Sequence, residues 1–312
     1  MIYVFTLFSQ SVTKHHYVRQ NDVHSRKKKY FIYTGTPTDI TTNKSTALTS
    51  SRLKRQNDIR LKTCDIRDIA VVSQDTLLVV NLSRGMVELV SSKTGKVLSQ
   101  LELEGEPRRV CLVGRDMAAV SIGWLQMVQL VKIKGNKLAK DKVLKVSDDV
   151  YGIANSNNNL VVTYMHTIQP WLEVISMDGQ VLNRFNNAGK LHIFQKPLFM
   201  TSSCDGTIWI ADSENNTITK LDADLNILQT FASPLLKGPS GITALTEDQV
   251  LVCSSRTDSL VLLQPSTNTV SSLLGKDNGI EEPHCLTYCP QEKKIFVATA
   301  GEITNIHVFQ FT

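Results

Sequence analysis

The sequence predicts an all-β fold, a six-bladed β-propeller with four antiparallel strands per blade and an N-terminal strand closing the last blade. Three observations carry this. A pattern of short apolar strands recurs six times at a period of about 43 residues. Each period divides into four strand-length runs separated by turn residues, which is the signature of a propeller blade. The last period stops at Thr312 after its third strand, while a strand-like run, NDIRLKT (57–63), precedes the first period.

The first strands are RDIAVV (67–72), RRVCLV (108–113), YGIANS (151–156), KPLFMT (196–201), SGITAL (240–245) and HCLTYC (284–289). Their equivalent apolar residues Ile69, Val110, Ile153, Leu198, Ile242 and Leu286 are 41, 43, 45, 44 and 44 residues apart. Second strands such as TLLVVN and NLVVTY are continuously apolar, as burial on both faces between neighbouring blades requires. Third strands such as NTITKLD alternate, which predicts a more exposed position. Turns rich in Gly, Asp and Asn then lead into fourth strands such as VLSQLEL and ILQTFAS. The missing fourth strand of the last blade is expected from residues 57–63, with Ile59 and Leu61 in it, so that no sheet edge is left open. No 11-residue window carries a strong i, i+3, i+4 apolar stripe, which excludes an α/β reading.

Charge separates the chain into two parts. Residues 1–60 hold 11 Lys/Arg against 3 Asp/Glu, and the rest hold 23 against 26. Residues 1–52 are read as a disordered, basic, Thr/Ser-rich tail and 53–312 as the propeller. The tail contains the cluster HSRKKKYF (24–31), read as a solvated stretch in preference to an anion-binding or nuclear-localisation patch. The apolar segment Ile2–Phe8 lacks the basic start and small-residue cleavage site of a signal peptide. No apolar run is long enough to span a bilayer. The cysteines at 64, 111, 204, 253, 285 and 289 are scattered without zinc spacing, as in reduced core residues of a cytoplasmic protein.

DGTIWIADSENNTITKLDADLNILQTF (205–231) is the stretch with most chemistry in it. Its acidic and amide residues invite a cation, but no acid closes the loop at the spacing a calcium site needs. It is read as turns around strand IWIAD. Asp and Asn side chains bond nearby backbone there, and Gly206 supplies a positive φ. The same stretch resembles the NHL repeat, whose blades run G-x-V-x-V-A-D-x-x-N-N-R-I-x-x-F-D-x-x-G. Thr217 stands where that repeat has Arg, and Leu225–Asn226 replaces its Asp-Gly turn. GPSGITAL (238–245) and EVISMDGQVLNRF (173–185) are similar to parts of further repeats. The resemblance is specific over 204–265 and extends by spacing over 57–312. It is to the propellers of tripartite-motif (TRIM) proteins, in a divergent, mollusc-type form. It implies the substrate-recognition region of a ubiquitin ligase without the RING, B-box or coiled coil: residues 1–52 hold no cysteine with which to build a RING zinc site.

Function is therefore expected on the face shared by the loops between strands two and three and the connections between blades. The first set presents Arg84, Trp124, His166, Trp171 and Arg256. The second presents Arg108, Arg109, Tyr151, Lys196, Lys237 and His284. Arg, Trp and Tyr dominate binding hot spots. No catalytic residue, cofactor or metal is expected: Asp68 is the one acid at the axial ends of the first strands, no G-x-S-x-G elbow occurs, and the histidines lie apart. The expected partner is a protein. RNA is the first alternative, disfavoured by Glu104, Glu106, Asp148, Asp149, Glu281 and Glu282 on the same loops. A calcium-dependent lactonase-type hydrolase is the second. No membrane partner is expected.

Overall fold

The computed structural model describes residues 52–61, 65–165, 169–185, 193–300 and 305–312, all within the compact unit Ala47–Thr312. The expected tail lies outside these residues, apart from Arg52.

Two short strands come first, β1 (Leu53–Arg55) and β2 (Ile59–Arg60). Blade 1 is β3 (Ile66–Ser73), β4 (Thr76–Asn81), β5 (Met86–Ser91) and β6 (Val97–Glu102). Blade 2 is β7 (Pro107–Leu112), β8 (Met117–Ile122), β9 (Met127–Lys134) and β10 (Lys137–Lys145). Blade 3 is β11 (Val150–Ser156), β12 (Asn159–Tyr164), β13 (Trp171–Ile175) and β14 (Val181–Arg184). Blade 4 is β15 (Pro197–Ser202), β16 (Ile208–Asp212), β17 (Thr217–Leu221) and β18 (Ile227–Ala232). Blade 5 is β19 (Pro239–Thr246), β20 (Gln249–Ser254), β21 (Ser259–Gln264) and β22 (Thr269–Leu274). Blade 6 is β23 (Pro283–Cys289), β24 (Lys294–Thr299) and β25 (Asn305–Phe311). Every sheet is antiparallel, and no α-helix occurs among the described residues.

The expected ring closure is present, with different boundaries. β1 and β2 both pair with β25, Leu53 opposite Phe311 and Ile59 opposite Ile306. The closing strand thus starts at Leu53, before the run at 57–63, and is broken at residues 56–58. The break turns Asp58 toward its neighbours: Arg55 Nη2 lies 2.8 Å from both Asp58 Oδ2 and His307 Nδ1. Leu61 lies beyond the strand, half-buried against the core.

The core sits between blades. Leu77 to Val80 on β4 and Leu160 to Val162 on β12 are fully buried, because neighbouring sheets cover both faces. Fully burying such a side chain stabilises by roughly 1.5–3 kcal/mol. The expectation that third strands are more exposed fails. β5 is buried along five of its six residues, and exposure falls instead on fourth strands such as β14 and β18 at the circumference. Trp209 is wholly buried on Phe231, its indole N–H donating to Ser203 Oγ at 2.9 Å. Leu225 takes φ 67° where the NHL pattern has its Asp-Gly turn, and its side chain is buried among blades 3 and 4.

The two ends of the ring differ. Tight turns within the hairpins gather at one end, called the bottom. Loops between second and third strands, and the connections between blades, gather at the top.

Candidate functional site

The free edge of each first strand faces the axis, so six rows of backbone groups outside any sheet ladder converge there. Each first strand also shifts register near its top end, between Ile66/Asp68, Pro107/Arg109, Val150/Ile153, Pro197/Phe199, Pro239/Ile242 and Pro283/Cys285. Such bulges re-aim side chains. Here they supply residues that close the top of the axis.

Arg109 is the centre of that closure. It is buried. Its Nε donates to the Leu198 carbonyl at 3.2 Å, and its Nη1 donates to the carbonyls of Arg67 at 2.6 Å and Arg108 at 3.0 Å. The guanidinium stacks 3.6 Å above the Phe199 ring. Asp68 opposes the charge while accepting the N–H groups of Ile69 at 3.0 Å and Val110 at 2.9 Å. Burial raises the Asp68 carboxyl to about 6, against Arg109 and those two N–H groups. Burial likewise pulls the Arg109 guanidinium below its usual range, opposed by Asp68. His284 packs edge-on to Phe199, ring centroids 5.2 Å apart. Burial, then repulsion from Arg109 and Arg67, lowers its imidazole to about 3, so it is neutral at physiological pH. Arg67 Nε and His284 Nε2 are buried without a partner among the described residues. Close packing continues around the ring, since a Cβ on Gly241 would lie 2.5 Å from the Cys285 Cα. Beneath the closure is an axial cavity of about 280 Å³, lined by residues of all six first strands.

Beside the axis Arg108 builds a second group. It is ion-paired to Asp149 at 3.0 Å and lies 4.2 Å from the Tyr151 ring and 5.7 Å from the Trp124 ring. It rests on Gly123, where a Cβ would come within 2.1 Å of the guanidinium carbon. Next to this fixed support Trp124 is 74 % exposed and Leu125 49 % exposed.

Of the expected site residues, the structure thus brings Arg108, Arg109, Trp124, Tyr151 and His284 together, although Arg109 is a structural closure and not a surface contact. Arg84 lies apart, bound to buried Glu88 at 3.3 Å. Trp171 is half-buried between Tyr164, at 4.4 Å, and the Arg184 guanidinium, also at 4.4 Å. Arg256 is 3.5 Å from Glu214, and its N–H donates to the Lys237 carbonyl at 3.1 Å. Lys196 and Lys237 have exposed side chains. His166 lies outside the described residues. Phe199, Gly123 and Leu125 were missed, and none carries a motif that marks it in isolation; Asp149 was placed on this face as an acid but not as the partner of Arg108.

The acidic stretch of blade 4 is turn chemistry. Asp212 is buried and accepts the N–H groups of Gln195 at 2.7 Å, Lys196 at 3.0 Å, Asn215 at 3.1 Å and Glu214 at 3.2 Å. Asp205 caps Thr207, and Asp222 caps Asp224 and Asn226. Their oxygens are committed to protein donors. Among the described residues no three His, Cys, Asp or Glu side chains cluster as metal ligands. Cys111, Cys204, Cys253 and Cys289 are free thiols. No described helix is long and apolar enough to cross a membrane.

No protein-family model matches the sequence, and neither does any curated protein. Solved structures do match in fold. A streptogramin B lyase superposes with a TM-score of 0.60 at 11% identity, covering 85% of this chain and 100% of that one. Virginiamycin B lyase from Staphylococcus aureus gives 0.59 at 15% identity, covering 83% and 99%. A functionally unknown protein from Desulfotomaculum acetoxidans gives 0.57 at 15% identity, covering 77% and 76%. At these identities the likeness is one of fold.

Proposed function

We propose that this propeller is a non-catalytic recognition module whose top face docks a protein, with Trp124 and Leu125 at the centre of the contact. One observation carries the reading: a largely exposed indole and leucine stand beside an arginine held by Asp149, Tyr151 and Gly123. An exposed aromatic anchor on a rigid support binds with little ordering cost. The resemblance of residues 204–265 to NHL repeats favours substrate selection for ubiquitination as the setting, and the free thiols agree with the cytoplasm.

RNA fits this face less well. Arg84, Arg108 and Arg256 are each ion-paired, and Arg109 is spent on backbone carbonyls. Phosphate binding needs uncommitted positive charge. The lyase neighbours suggest a catalytic alternative, whose base would fall to His284. The charges that act on it are the cations Arg109 and Arg67, and among the described residues no carboxylate is bonded to it to orient or activate it.

The test is photo-crosslinking in cells with benzoylphenylalanine at position 124 and, as a control, at Leu182 on the outer rim. The reading expects protein adducts from position 124 that survive nuclease and are missing from 182. Nuclease-sensitive adducts, or the same adducts from both positions, would refute it.

A further inference from the structure

The bottom face divides by charge into two halves. In blade 1 its turns carry Lys93 and Lys96, against Asp75, which Lys93 holds at 2.7 Å. In blade 2 they carry Arg115, Lys134 and Lys137 against Asp116, all exposed. Blade 4 presents Asp205, Asp222 and Asp224, and blade 5 presents Glu247 and Asp248, with no basic residue in those turns. Asp205 and Asp222 cap their own turns and Asp248 accepts from Ser266 N–H in the second turn of its blade, yet their charge still faces solvent. Blades 3 and 6, between the two halves, carry little net charge at this end: Asp178 of blade 3 is bound by Lys142 of blade 2 at 2.6 Å, and in blade 6 Lys294 binds Glu292 at 3.0 Å beside exposed Lys293.

We propose that this face is self-complementary and joins two copies of the chain bottom to bottom. A two-fold axis lying in the face and passing over blades 3 and 6 brings blade 2 of each copy against blade 4 of the other. It also brings blade 1 against blade 5. Blades 1 and 2 then each meet an acidic blade, and blades 3 and 6 lie on the axis. The contact is isologous and closed, so it ends at a dimer. Shape agrees with charge. β9 and β10, at 8 and 9 residues, are longer than the third or fourth strand of any other blade. The blade 2 hairpin therefore stands beyond the bottom rim by roughly two residues, about 7 Å. Its tip carries Lys134 and Lys137 across to the Asp222–Asn226 turn of the opposite copy. Both top faces then point outward, so a dimer would present two recognition sites at once.

Exposed ion pairs are individually weak and screened by salt, so the association depends on several pairs acting together. Sedimentation equilibrium of the full chain tests it. The expected result is twice the 34.8 kDa chain mass in about 50 mM salt, falling to that mass in about 500 mM. Lys134→Glu with Lys137→Glu, and separately Ala223→Lys with Asp224→Lys, should each be monomeric in low salt while melting like the parent. Mixing the two charge-reversed proteins should restore a dimer. A parent that is monomeric in low salt, a dimer that survives either reversal, or a mixture that stays monomeric would overturn the proposal.

Discussion

Replacing Arg109 by Met tests the axial closure most sharply. The substitution keeps length but removes three hydrogen bonds to the carbonyls of Leu198, Arg67 and Arg108, and the cation stacked on Phe199. It also leaves Asp68 facing the axis without its counter-charge. Removing one partner of a buried charged group costs about 3–5 kcal/mol. At about 2–4 °C per kcal/mol for a domain of this size, the melting temperature should drop by roughly 10 °C. The pH dependence separates this mechanism from simple loss of packing. Asp68 protonates near 6 in the folded chain and near 3.8 when unfolded, so its contribution is most favourable below about 4 and declines as pH rises through about 6. Arg109 is the largest influence lowering that value. Without it the carboxyl titrates higher still, and the decline continues toward neutral pH. The stability difference between parent and Arg109→Met, from urea unfolding, should therefore be larger at pH 8 than at pH 5. Adding Asp68→Asn should recover part of it at pH 8. A loss below about 1 kcal/mol, or one that is the same at both pH values, would refute the reasoning.

Deleting residues 53–60 exposes the β25 edge and removes the Arg55–Asp58–His307 cluster, so aggregation and a much lower melting temperature are expected by light scattering and calorimetry. Trp124→Ala with Leu125→Ala should leave the melting temperature within a few degrees, because both side chains are exposed, while abolishing the crosslinked partner. Gly241→Ala places a Cβ 2.5 Å from backbone of the next blade and should cost several kcal/mol in urea unfolding. His284 is held near 3 when folded against 6.5 when free, so its contribution is present at neutral pH and lost as pH falls. His284→Phe should remove about 3 kcal/mol of that acid sensitivity between pH 7 and 4.5 in the same assay.

Blade number and second strands were legible because burial on both faces demands an unbroken apolar run, as in Leu77–Val80. Ring closure was legible as a missing strand, but its start was not. Leu53–Arg55 has one apolar residue, so the alternation of Ile59 and Leu61 found the second part of the closing strand, β2, and carried it past its end to Leu61. Third strands misled for a related reason. The alternating polar residues of β17 are small or long enough to lie between blades, so Thr219 is buried and Lys220 covers Trp209 at 5.0 Å. The site was legible as a set of loops, not as contacts. Arg108 and Arg109 read alike in sequence, and the bulge at Pro107/Arg109 sends one to Trp124 and Tyr151 and the other into the axis. Nothing local marks Phe199 as the surface beneath Arg109, since blades 2 and 4 meet only through the closed ring.

Native-state hydrogen exchange on β25 tests the central claim of a closed ring that leaves only its two faces for recognition. Ile306 to Phe309, paired with β24 on one side and with β1 and β2 on the other, should exchange as slowly as the second strands of blades 1 to 5. Exchange of those amides within minutes, while those second strands stay protected, would show an open ring and contradict the account.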